Sequence, residues 1–179
     1  LSRSLASTFE FIEQVVADYD PATVEQVLQL MRNDPPVADH FFKHASDPRW
    51  LVRLKEAGYF DPTKNPAPLE VRDRPGMFTI PHWPPLQYLE KAATHTAPDD
   101  SDTLKYIVQI VREIVDHRDE DGKRVENFGT DGSITQIYAT VPDRFLDVED
   151  IDRVRLFLQS QLPATVDSDV GGALLPHLL

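Results

Sequence analysis

Apolar residues recur along this chain at spacings of three and four, the period that gathers side chains on one face of an α-helix. Over residues 5–18 the stripe is Leu5, Phe9, Ile12 and Val16, continued by Tyr19, with Ser4 or Ser7 placed to cap its start. Asp20-Pro21 opens the next helix with an aspartate cap and a proline at the first helical position, where the missing N–H costs nothing. Val24, Val27, Leu28 and Met31 carry that stripe to Asn33-Asp34-Pro35-Pro36, which stops it. A second pair follows. Val37, Phe41, Phe42 and Ala45 make one short amphipathic face, and Ser46-Asp47-Pro48 repeats the cap-plus-proline device. Trp50, Leu51, Leu54 and Ala57 make the next, with Gly58 as a left-handed residue closing it.

The pattern breaks over residues 62–85, which hold seven of the 15 prolines (62, 66, 68, 75, 81, 84 and 85). Proline removes a donor and restricts the residue before it, so neither a helix nor a central strand runs through this window. The expectation is an ordered, extended connection between two helical halves of one domain spanning 1–179. Met77, Phe78, Ile80 and Trp83 are expected to lie against the helices. Helices then resume. Pro84-Pro85 starts one with Leu86, Leu89, Ala92 and Ala93 inside and Tyr88 on its flank. Asp99-Asp100-Ser101-Asp102 is an acidic cap that complements the helix dipole. Leu104, Ile107, Val108, Val111, Ile114 and Val115 behind it form the strongest stripe in the chain.

Residues 118–133 contain two Asp-Gly pairs (121–122 and 131–132) and little periodicity, so they read as turns. A helix restarts at Ile134, carrying Ile137, Tyr138 and Val141 to Pro142. The alternative for Lys123 to Asn127 and Ile134 to Val141 is a hairpin, because Thr135, Ile137, Tyr138, Thr140 and Val141 favour strands. The helical surroundings favour the helix. Asp147 caps a further helix (Ile151, Val154, Leu158), and Asp167 or Asp169 opens a last one (Val170, Leu174, Leu175). The fold class expected is all-α: eight or nine short helices with a proline-rich crossing.

These helices succeed one another every ~15–20 residues, the rhythm of two-helix repeats of ~34–47 residues. Trp50 with Leu54-Lys55-Glu56-Ala57 is echoed by Trp83 with Leu89-Glu90-Lys91-Ala92, at an offset of 33 to 35 residues. On Trp50 to Tyr59, Trp83 to Ala93 and Leu104 to Val115, the chain resembles a HEAT- or armadillo-type helical repeat region. Tetratricopeptide and ankyrin signatures are absent. The resemblance implies a solenoid-like stack with a protein-binding or spacer role inside a larger protein, as in many large bacterial ATPases and nucleases.

Composition sharpens the function classes. The 179 residues carry 18 Lys+Arg against 30 Asp+Glu, a formal charge of −12, with the second half the more acidic. Such a chain is poorly suited to phosphate backbones and anionic membranes, both of which select clustered cations. The small basic groups Arg49, Arg53, Lys55 and Arg72, Arg74 are interrupted by Glu56 and Asp73 and read as solvated faces. No Cys is present, so disulfide, thiolate-metal and cysteine-nucleophile chemistry are excluded. No run approaches the ~20 apolar residues of a membrane span. The first residue is Leu rather than Met, which suggests part of a longer, cytoplasmic protein.

Candidate chemistry is sparse, and no catalytic residue is expected. His40 and His44 lie four apart on a predicted helix and can face one metal, with Asp47 or Asp39 as a third ligand. The zinc-protease pattern nevertheless fails, because Phe41 stands where the general base belongs and Lys43 opposes a cation. Surface histidines without a metal are the first expectation, and a small metal-dependent hydrolase is the alternative. His117-Arg118-Asp119 copies three letters of a kinase loop, but position 124 is Arg rather than Asn and the companion motifs are missing. Asp119, Asp121 and Gly122 resemble the middle of a calcium loop whose first and last ligand positions hold His117 and Phe128. No cofactor motif is found. Trp50, Tyr59, Phe60, Phe78, Trp83 and Tyr88 gather around the crossing; core packing is their ordinary role. An exposed groove for a protein partner, formed by Trp50, Tyr59, Phe78, Trp83 and Tyr88, is the functional alternative. The primary reading is a non-enzymatic interaction or scaffold region whose partner is another protein or another domain of the same chain. A regulatory domain binding a basic partner is a further alternative.

Overall fold

A computed structural model describes residues 4–124 and 127–161. Among them stand eight α-helices: α1 (Leu5–Ala17), α2 (Val24–Asn33), α3 (Pro35–His44), α4 (Leu51–Glu56), α5 (Pro84–His95), α6 (Ser101–Asp116), α7 (Phe128–Thr140) and α8 (Val148–Gln161). One two-stranded ribbon, β1 (Leu69–Glu70) and β2 (Phe78–Thr79), interrupts them between α4 and α5. The chain is therefore mainly helical, as its periodicity requires. The last helix expected, around Val170, Leu174 and Leu175, lies outside the described residues.

Short polar side chains set the helix starts. Ser4 Oγ accepts from the Ser7 N–H, Asp100 from Thr103 and Asn127 from Thr130, each satisfying a donor that the first turn leaves orphaned. At Asp20, Asp47 and Asp61 a proline follows the cap, and each opens a short 3-10 turn (Pro21–Thr23, Pro48–Trp50 and Pro62–Lys64). Asp147 and Asp150 cap α8 reciprocally: Asp150 N–H donates to Asp147 Oδ1 (2.9 Å) and Asp147 N–H to Asp150 Oδ2 (3.0 Å).

One continuous core runs from Ile12 and Val15 of α1 to Val154 and Phe157 of α8. Along it α1 packs on α3, α3 on α5 and α5 on α7, so the odd-numbered helices form a row. Ion pairs join the even-numbered helices in the same order. Glu25 of α2 pairs with Arg53 of α4, Lys55 of α4 with Glu113 of α6, and Asp116 of α6 with Arg153 of α8.

Several expectations are corrected. The core face of α1 is Thr8, Ile12 and Val15, and Leu5 is exposed. Tyr88 is fully buried rather than flanking, because its hydroxyl donates to the Asp47 carbonyl (2.7 Å) and leaves no polar group unmet. The proline-rich window folds into the ribbon, with Leu69 opposite Thr79 and Glu70 opposite Phe78. Arg74-Pro75-Gly76-Met77 closes it as a type II turn, with Met77 N–H on the Arg74 carbonyl (3.0 Å) and Gly76 at φ +80°. Met77 and Phe78 do not lie against the helices. They stand 48% and 56% exposed on the ribbon, which is held by the β1–β2 pairing and its turn. Finally, α7 begins six residues before Ile134, so Asp131-Gly132 is helical rather than a turn. Residues 134–140 are helical rather than the strand considered as the alternative.

Candidate functional site

The groups that converge best are on α1 and α3. His40 Nε2 lies 2.8 Å from Glu13 Oε1, and the His40 and His44 ring centroids are 4.6 Å apart. Phe9, one turn before Glu13, stacks on the His40 ring at 4.2 Å with an interplanar angle of 9°. The local sequence explains the arrangement: Phe9 and Glu13 are an i, i+4 pair on α1, His40 and His44 one on α3, and the two helices pack together. His40 is partly buried, while Glu13 and His44 are exposed. Beside them opens a cleft of about 550 Å³ whose lining includes Glu13, His44, Asp47 and His95.

The third residue is thus Glu13, not Asp47 or Asp39. Asp47 is engaged elsewhere, its carboxylate held by the Arg49 guanidinium at 2.6–3.0 Å and by the Arg49 N–H at 2.9 Å. The hydrogen bond from the Arg49 side chain pulls the Asp47 pKa below the usual carboxylate range, against a smaller upward push from burial. Asp39 lines a different cleft of about 420 Å³, together with Lys43 of α3 and Gln87 and Lys91 of α5. There Lys91 Nζ donates to the carbonyls of Phe42 (2.8 Å) and Lys43 (2.9 Å), capping the C-terminus of α3 with a cation. Burial lowers the Lys91 pKa.

The aromatic set does not form an exposed groove. Trp50, Phe60, Trp83 and Tyr88 are buried and Tyr59 is half-buried, so their contribution is core packing. Trp50 meets Tyr19 and Phe41 edge-on, at 5.1 and 5.0 Å between centroids. Phe78 alone of the five expected partner-binding residues is openly exposed, beside Met77 and across the ribbon from Glu70. The two short motif copies also resolve as local structure. Arg118 donates to the carbonyls of Val115 and His117, and the Asp119 carboxylate accepts the N–H groups of Asp121 and Lys123 in a turn.

Sequence reasoning could not find Glu13, which is 27 residues from His40 with no spacing rule to link them. No family model, curated protein or solved structure matches this chain.

Proposed function

We propose that this chain is a protein-interaction scaffold region of the HEAT-like helical-repeat kind, one part of a larger cytoplasmic protein. The observation that carries the reading is the ordering of the helices. The odd-numbered helices pack in a row and the even-numbered ones are tied by ion pairs in the same sequence, so each helix is joined to the one two places further along the chain. That is the quasi-one-dimensional logic of repeat scaffolds. The ribbon carries three of the six large apolar side chains that stand exposed among the described residues: Leu69, Met77 and Phe78, at 61%, 48% and 56%. A two-stranded ribbon also has unpaired edges, which accept an extended segment as a further strand. The partner this surface suits is therefore an extended, apolar stretch of a protein.

The test places photoreactive p-benzoylphenylalanine at position 78 of the full-length protein in cells. A defined crosslinked protein, or a defined domain of the same chain, is expected from position 78 and not from the exposed Glu10 position on α1. Phe78→Ser is expected to abolish crosslinking from position 77 while shifting stability by no more than about 0.5 kcal/mol, the usual range for a surface substitution. Absence of a product at 78, or the same products from both positions, would refute the reading.

A further inference from the structure

The scaffold reading makes no use of the groups that meet between α1 and α3. One carboxylate oxygen of Glu13 and one ring nitrogen each from His40 and His44 all lie within 4.8 Å of one another. Two imidazoles and a carboxylate are the donor set of three-ligand zinc sites in which the fourth position is left to water or substrate. Two features favour an ion here over a simple hydrogen bond between helices. The first is preorganisation: Phe9 lies flat on His40 and holds the imidazole plane in place. The second is access, because Glu13 and His44 both line the 550 Å³ cleft.

The distances are within reach of a bound ion. With metal–ligand bonds of about 2.0–2.1 Å, ligand atoms of a tetrahedral zinc stand about 3.3 Å apart. The Glu13–His40 pair, now at 2.8 Å, would open slightly, and no pair would close by more than about 1.5 Å. Glu13 can adjust towards both histidines, its side chain being 53% exposed on a flexible stem. Lys43, the cation nearest in sequence, lines the other cleft, between α3 and α5, and not the one that Glu13 and His44 line. Imidazole donors select a zinc-type ion over magnesium or calcium, which take oxygen ligands.

We infer that Glu13, His40 and His44 bind one divalent transition-metal ion of the zinc type, its free coordination position opening on the cleft lined by Asp47 and His95. The site is independent of the ribbon, so either proposal can fail alone.

The test titrates the full chain, stripped by a chelator, with ZnCl2 at neutral pH, with MgCl2 as the control. One saturable equivalent of zinc is expected, and none of magnesium. Removing an outer partner of a metal ligand weakens binding about 10–100-fold, so removal of a ligand itself in His44→Ala is expected to weaken it by at least about 100-fold. His95→Ala, on the cleft but outside the three, is expected to stay within about threefold of the unaltered protein. A readout that needs no variant runs beside this: in imidazole nitrogen spectra, zinc should move the His40 and His44 signals and leave those of His82 and His117. Lack of a saturable equivalent, unchanged affinity in a folded His44→Ala, or zinc shifts confined to other histidines would each overturn the site and leave Glu13–His40 as an interhelical hydrogen bond only.

Discussion

At Gly58 the chain leaves α4 with φ +75°, and two hydrogen bonds close the helix end: Tyr59 N–H to the Leu54 carbonyl (3.1 Å) and Gly58 N–H to the Lys55 carbonyl (2.9 Å). This is a Schellman arrangement, and it needs a residue that tolerates the left-handed region. An alanine Cβ would have room, its nearest neighbour being the Lys64 ammonium at 3.6 Å. The cost of Gly58→Ala is therefore backbone strain, about 1–2 kcal/mol. Urea denaturation should show that loss with an unchanged m-value, and equal stability of the two proteins would contradict it. Gly58 was legible in the sequence because everything that fixes it lies within five residues. Tyr88 was not, since the carbonyl that satisfies its hydroxyl belongs to Asp47, 41 positions earlier. Glu13 was hidden for the same reason: its meeting with the two histidines is made by helix packing, and local periodicity carries no trace of it.

Asn127 shows how one side chain can organise two elements. Its Oδ1 accepts from Thr130 N–H (3.1 Å) and so caps α7, while its Nδ2 donates to the carbonyls of Pro66 (2.7 Å) and Pro81 (3.2 Å). Those two prolines flank the ribbon, so the buried amide clamps its base to the helix end. Replacing Asn127 by Ala should cost about 1–3 kcal/mol, because buried partners are left unsatisfied. Amide exchange over residues 69–79 should accelerate at the same time, and a stability loss without faster exchange there would separate the cap from the clamp. The same region explains two misreadings of the sequence. Gly129, Asp131 and Gly132 are weak helix formers, and the helix holds there through tertiary contacts. Asp131 is buried with a two-pronged hydrogen bond from Arg124 (2.6 and 2.9 Å). The ribbon was masked by proline density, although Pro75-Gly76 is the pair a type II turn requires.

Among the described residues, the periodic stripes carry the order of the eight helices, whereas the partner of each helix follows from volumes and charges that a one-dimensional pattern does not encode. The charges matter most at the end of the row. Asp150 is fully buried and receives hydrogen bonds from Arg112 (2.9 and 2.6 Å), Arg153 (3.0 Å), Tyr138 (3.1 Å) and the Asp147 N–H (3.0 Å), binding α6, α7 and α8 together. Burial by itself would raise its pKa; the Arg112 hydrogen bonds and the Asp147 N–H outweigh that and hold it below the usual carboxylate range. The folded-state pKa is thus lower than the unfolded value of about 3.9. The stabilisation from its charge is complete above that value and is lost as the pH falls through the folded one. Asp150→Asn keeps the shape but removes the charge, leaving two guanidinium groups facing a neutral side chain. At neutral pH it should cost about 3 kcal/mol, the low end for breaking a buried ion pair. On acidification from about pH 5 to pH 2 the variant should lose less stability than the unaltered protein, so that the gap between them narrows. Denaturation curves recorded across that range give the measurement. Two curves that run parallel down to the acid limit would show that the Asp150 charge does not hold these three helices together.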